Sequence, residues 1–182
     1  MIDETIFDAE EKMEKAVSVA RDDLSSIRTG RANPGMFARV NVDYYGQPTP
    51  LRQLATINVP EPRMLTIQPF DPTSIKAIEK AIQESDLGLT PSNDGKLIRL
   101  PMPQPTEERR KELVKVVRKI AEEGKIAVRN VRRDAVQHLK DLKEVGSDDE
   151  HRAEDRVQKL TDDHTKTIDD LLRHKETEIM EV

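Results

Sequence analysis

The stretch PTEERRKELVKVVRKIAEEGKIAVRNVRRDAVQHLKDLKEVG, residues 105–146, decides the architecture. After Pro105 it contains no proline, the residue that removes an N–H and clashes with the preceding helical turn. Thr106 is a good N-cap, and Glu107 and Glu108 place negative charge in the first turn, where the helix dipole favours it. Apolar or small residues recur in steps of three and four at Leu113, Val117, Ile120, Gly124, Ala127, Val131, Ala135, His138, Leu142 and Val145. Gly146-Ser147 supplies a stop, with Gly146 at the C′ position. The spacing predicts one amphipathic helix of about 40 residues, roughly 60 Å long at 1.5 Å per residue.

Two more helices flank it. Downstream, Asp148, Asp149 and Glu150 suit a helix start, followed by a stripe at Ala153, Val157, Leu160, His164, Ile168, Leu171 and Ile179. Upstream, Ile6, Ala9, Met13, Ala16, Val17, Ala20, Leu24 and Ile27 form a third stripe. Three such helices, each with one narrow apolar face, bury those faces as an antiparallel three-helix bundle.

All eleven Pro residues lie between Pro34 and Pro105, with four of the five aromatics. Here the pattern has period two: Val40, Val42 and Tyr44; Ile57 and Val59; Leu65 and Ile67; Ile98 and Leu100. Tyr45-Gly46-Gln47-Pro48 and Asn93-Asp94-Gly95 read as turns. One short helix fits, with Asp71 as cap, Pro72 at its first position, and Ile75, Ile78 and Ile82 inward. The fold class is therefore α+β. Residues 1–29 and 106–182 form the bundle, and residues 30–105 form an inserted small β-rich domain.

Composition narrows the function. Charged residues make up 36% of the 182, against roughly 25% for an average soluble domain, which long solvated helices explain. There is no Cys, so disulfides, thiolate catalysis, Fe–S clusters and Cys-bound zinc are excluded. The longest apolar runs fall far below the roughly 20 residues that span a bilayer. Residues Met1 to Glu14 are acidic and lack the apolar region of a signal or transit peptide.

No phosphate-binding Gly-rich loop or nucleophile elbow occurs. His138 and His164 fall on inward stripes and read as structural, while His151 and His174 read as exposed. The cluster Asp148-Asp149-Glu150 lacks the spacing and inner glycine of a calcium loop. Neither a catalytic set, a metal site nor a cofactor is expected, and an enzyme is disfavoured.

Charge is distributed unevenly. The net charge of −5 resolves into −4 for residues 1–29, +1 for 30–105, +4 for 106–146 and −6 for 147–182. Advancing about 100° per residue from Val131 collects Arg118, Lys125, Arg129, Arg132, Arg133, Lys140 and Lys143 on one outward stripe, with Glu122 as the acidic intruder. Such a stripe can be a solvated face paired with the acidic third helix. Arg129, Arg132 and Arg133, however, are Arg rather than Lys, and a guanidinium fork suits phosphate. Arg28 and Arg31 bracket Thr29-Gly30 at one junction, and Arg109 and Arg110 follow the other.

Several strings carry a family resemblance. They are Ile27-Arg28-Thr29-Gly30-Arg31-Ala32-Asn33-Pro34; Tyr44-Tyr45-Gly46 with Pro48-Thr49-Pro50-Leu51; Ser85-Asp86-Leu87-Gly88-Leu89; Thr106-Glu107-Glu108-Arg109-Arg110-Lys111; Ala127-Val128-Arg129-Asn130-Val131-Arg132-Arg133-Asp134-Ala135; and Val157-Gln158-Lys159-Leu160-Thr161-Asp162. Collinear over essentially the whole chain, they resemble the ribosome recycling factors.

The resemblance implies an L-shaped, tRNA-mimicking monomer in the bacterial cytoplasm. It implies a factor that hydrolyses nothing itself. It would bind the large ribosomal subunit and its 23S rRNA and, with elongation factor G and GTP, split the post-termination complex into subunits, mRNA and tRNA. It assigns rRNA contact to Arg129, Arg132 and Arg133, with Arg28 and Arg31 in addition. It assigns a hinge to Gly30, Arg31, Ala32, Pro103, Pro105 and Thr106. A coiled-coil protein-interaction or chaperone-like module is the competing reading. It shares the stripes but does not account for the Arg cluster or the inserted domain.

Overall fold

A computed structural model of the chain describes residues Met1–Glu181. In chain order the elements are α1 (Ile2–Ser25), a 3-10 turn (Pro34–Phe37), β1 (Asn41–Tyr44), β2 (Gln47–Pro50), the single turn α2 (Leu51–Leu54), β3 (Ala55–Glu61), β4 (Met64–Pro69), a second 3-10 turn (Pro72–Ser74), α3 (Ile75–Gln83), β5 (Ser92–Asn93), β6 (Ile98–Pro101), α4 (Glu107–Asp141) and α5 (Ser147–Met180). They form two compact units. One comprises Met1–Thr29 and the chain from Thr106 onward; the other is Gly30–Pro105.

In the first unit α1, α4 and α5 each pack against the other two. Ile6, Ala9, Met13, Val17 and Ala20 of α1 meet Ala121, Val128, Ala135 and Leu139 of α4 and Ala153, Val157 and Ile168 of α5. A second cluster of Leu24, Leu113, Val117 and Ile179 closes one end. Small residues set the closest approach. A Cβ at Gly124 would stand 3.0 Å from the Ala20 Cβ and 3.3 Å from Ile168 Cδ1, so all three helices converge on a position where even a methyl group crowds its neighbours. Among the described residues no helix is long and apolar enough to cross a membrane.

The long central helix differs from its sequence reading in two respects. It has 35 residues and ends at Asp141. Leu142 leaves helical space with ψ 97, which lets its side chain stay half-covered against the bundle core. Gly146 is not a left-handed C-terminal cap; with φ −67 and ψ 152 it is the extended N-cap of α5. Lys143 therefore lies beyond the helix that was expected to carry it. The buried line is also shifted. Ala121, Val128 and Leu139 are buried, whereas Ile120, Ala127 and Val131 are half-buried and His138 is exposed. The cause is that α4 is flanked by two helices. Its covered face is wider than one stripe, and Leu139 takes the inward place assigned to His138.

In the second unit β3, β4, β6 and β5 form an antiparallel sheet in that order, and β1 and β2 form a separate hairpin. Leu65, Ile67, Ile98 and Leu100 point from the sheet onto Ile75, Ile78 and Ile82 of α3 and onto Phe37, Val42 and Leu51. Asp71 caps the turn leading into α3, accepting from Thr73 N at 3.0 Å and Thr73 Oγ1 at 2.7 Å. Val59, expected to share a face with Ile57, is 39% exposed. The register shifts between Asn58 and Glu61, and a bulge of this kind breaks the alternation.

Candidate nucleic-acid interface

The cations of α4 fall into three groups. Some face α5 and are compensated by it: Arg118 Nε donates to Glu176 Oε1 at 2.6 Å, Lys125 Nζ to Asp169 Oδ1 at 3.0 Å, and Lys140 Nζ lies 3.8 Å from Glu154 Oε1. The acidic third helix is thus the counter-charge of this face. Arg129 is compensated within its own helix, Nη2 donating to Glu122 Oε1 at 3.1 Å, and the same carboxylate lies 3.5 Å from Lys125 Nζ. The hydrogen bond from Arg129 and the charges of Lys125 and Arg129 hold the Glu122 carboxyl below its ordinary pKa. The Lys125 ammonium is raised, chiefly by its bond to Asp169.

Of the arginines on the outward stripe, Arg132 and Arg133 have no carboxylate partner among the described residues. Among the described residues Arg132 Nη1 donates only to the amide oxygen of Gln158, at 3.4 Å. Arg133 is exposed and has no hydrogen-bond or ion-pair partner among the described residues. Arg28, past the end of α1, is likewise exposed and unpaired among the described residues. Arg31 is exposed. Arg132, Arg133 and Arg28 thus offer planar donors to phosphate oxygens without first having to break an ion pair.

Arg110, which the sequence places beside Arg109 as a cation at the second junction, is buried in the structure. It is 7% exposed, and its Nε is buried with no partner. It lies one turn before Leu113 on the covered side of α4. The step from 110 to 113 to 117 was the available signal. A charged side chain on an apolar stripe is easily discarded as noise.

The expected hinge residues have specific geometry. Gly30 has φ +80, and a Cβ there would lie 2.8 Å from Pro105 Cδ and 3.1 Å from the Pro103 carbonyl oxygen. The chain entering the second unit therefore runs directly against the chain leaving it, and only glycine fits. Ala32 N donates to the Pro62 carbonyl and Met102 N to the Arg63 carbonyl, both at 2.8 Å, which fastens both segments to one β-turn. Thr106 Oγ1 accepts from Arg109 N at 3.1 Å and caps α4.

Among the described residues no group of three His, Asp or Glu could hold a metal ion. His164 Nδ1 is engaged with the Leu160 carbonyl at 2.6 Å, and His151 and His174 are exposed.

Fold and surface together define a binding protein: a three-helix bundle with a partly compensated row of cations, interrupted by a small β-rich unit. The family model described as ribosome recycling factor matches residues 20–180. The chain is 58% identical over 185 residues to the ribosome-recycling factor of Mycobacterium sp. (strain KMS), covering 100% of both chains. It belongs to the ribosome recycling factor family, whose members are translation factors and not enzymes.

The ribosome-recycling factor of Mycobacterium tuberculosis is 57% identical, again over 100% of both chains. A solution structure of the ribosome recycling factor matches with TM-score 0.75 and 42% identity, covering 100% of this chain and 98% of its own. The T. thermophilus ribosome recycling factor matches with TM-score 0.65 and 44% identity over 100% of both chains. It was described together with E. coli elongation factor G bound to the E. coli post-termination complex.

Proposed function

We propose that this protein recycles ribosomes after termination. It binds the large subunit through 23S rRNA and, with elongation factor G and GTP, splits the post-termination complex so that subunits, mRNA and tRNA part. The full-length relationship to ribosome-recycling factors carries this reading. The partnership with elongation factor G is supported by the T. thermophilus relative described beside that factor. The site of action is the cytoplasm.

The physical steps follow from the surface. Arg132, Arg133 and Arg28 neutralise phosphates and release counterions, and Arg129 and Arg31 add to the same anchor. The close-packed bundle transmits force along α4 and α5, since packed interiors have low compressibility. The small unit is the part that elongation factor G pushes, turning at Gly30, Arg31 and Ala32 on one segment and at Pro103, Pro105 and Thr106 on the other. Gly30, with its positive φ against Pro105, supports a pivot at this point.

A light-scattering assay on post-termination complexes tests the function. Adding the protein with elongation factor G and GTP should lower the scattering as subunits separate, and omitting any one component should abolish the drop. Complexes that stay intact with all three present would overturn the reading.

A further inference from the structure

The ion pairs between α4 and α5 form a ladder with one altered rung. Arg118 meets Glu176, and seven residues along each helix Lys125 meets Asp169. A further seven residues on both helices brings Arg132 level with Asp162. Those two do not pair. Asp162 Oδ1 instead accepts from Gln158 Nε2 at 2.9 Å, one turn back on α5. The other end of the same amide, Gln158 Oε1, accepts from Arg132 Nη1 at 3.4 Å. The direct pairing resumes at Lys140 and Glu154.

We infer that Gln158 is a positioning residue for RNA contact: its amide engages Asp162 and holds the Arg132 guanidinium uncompensated, with its remaining donors turned to a phosphate. The inference rests on the proposed role of Arg132 at rRNA. An amide suits the task because it presents a donor to the carboxylate and an acceptor to the guanidinium at once. A carboxylate in register with Arg132 would instead take two of its five donors in a fork and cancel its charge. The single long bond to Gln158 leaves most of the guanidinium free, and little is lost when a phosphate draws it away. Arg118, by contrast, commits its charge to Glu176 and is a structural cation.

Gln158 is exposed and helical, so alanine there should keep the fold, to be checked by the helical circular dichroism of each variant. Binding to isolated large subunits is measured by co-sedimentation across a salt series. Gln158→Ala should weaken binding several-fold and reduce the salt slope by about one, because Asp162 then closes on Arg132. Gln158→Ala combined with Asp162→Asn should recover both affinity and slope, a rescue that a purely structural role would not give. On an Arg132→Ala background, Gln158→Ala should have no further effect. Wild-type affinity and slope for Gln158→Ala, with Arg132→Ala clearly weakened, would overturn this inference and leave the role of Arg132 standing. Undiminished binding by Arg132→Ala would overturn the role of Arg132 itself, and this inference with it.

Discussion

Arg129 reaches two turns back along its own helix to Glu122, Nη2 to Oε1 at 3.1 Å. The carboxylate occupies the donors that an RNA phosphate would use, so the protein carries an internal competitor for one of its own cations. Glu122→Gln should therefore raise large-subunit affinity a few-fold, read by the same sedimentation assay. Affinity equal to or below wild type would mean that Arg129 stays paired when the subunit is bound.

The same pair sets a pH dependence. The Glu122 carboxyl is depressed by Arg129 and Lys125, so its contribution to stability is present above the ordinary Glu value and lost as pH falls through the depressed one. Lys125 is raised by Asp169; its contribution is present below the ordinary Lys value and lost as pH rises through the raised one. Urea midpoints of wild type should fall at both extremes. Glu122→Gln should flatten the acid limb, and Asp169→Asn, which removes the largest cause of the raised Lys125, should flatten the alkaline limb more than Glu122→Gln does.

Gly124 is where the bundle has no room. Gly124→Val would drive two methyl groups against Ala20 and Ile168, and overpacking of this kind costs about 1–3 kcal/mol. Urea denaturation followed by circular dichroism should show the loss. An unchanged midpoint would mean that α1 or α5 can move away freely.

Tyr45 has φ 51 and Gly46 φ 81 at the β1–β2 turn, the conformation for which Asn-Gly is preferred. The Tyr45 ring is 80% exposed and packs edge-on against Tyr44 with centroids 4.5 Å apart. Tyr45→Asn should relieve the backbone strain and raise the unfolding midpoint of the small unit. A lowered midpoint would show that the contact between the rings outweighs the strain.

Gly30→Ala tests the pivot. Its Cβ would collide with Pro105 in a left-handed conformation that alanine rarely adopts. The variant should still sediment with large subunits but split post-termination complexes more slowly. Splitting at the wild-type rate would place the pivot elsewhere.

Much of this was legible in the residues, and the misses have physical causes. Proline confined to the middle of the chain separated strands from helices, because helix interiors reject it. Periodicity found the helices but not their phase. A single stripe cannot represent a helix flanked on two sides, so His138 was placed inward and Leu139 overlooked. A one-letter glycine does not disclose its φ: Gly146 suits a C′ position by sequence, and its backbone is extended. The Arg cluster was visible as a pattern of charge. Which cations of the wider stripe α5 neutralises was not, since that depends on the register between α4 and α5. Glu176, Asp169 and Glu154 lie far from their partners in the chain and become neighbours only in the bundle.

The central claim is that Arg129, Arg132 and Arg133 of α4 hold rRNA. Its most direct test is the dependence of large-subunit binding on salt for wild type and for the variant carrying Arg129→Ala, Arg132→Ala and Arg133→Ala. If each guanidinium contacts a phosphate, the slope of log K against log salt should fall by about one per lost contact, and binding should weaken most at low salt while the helical signal is retained. A variant that binds with wild-type affinity and an unchanged slope would contradict the account.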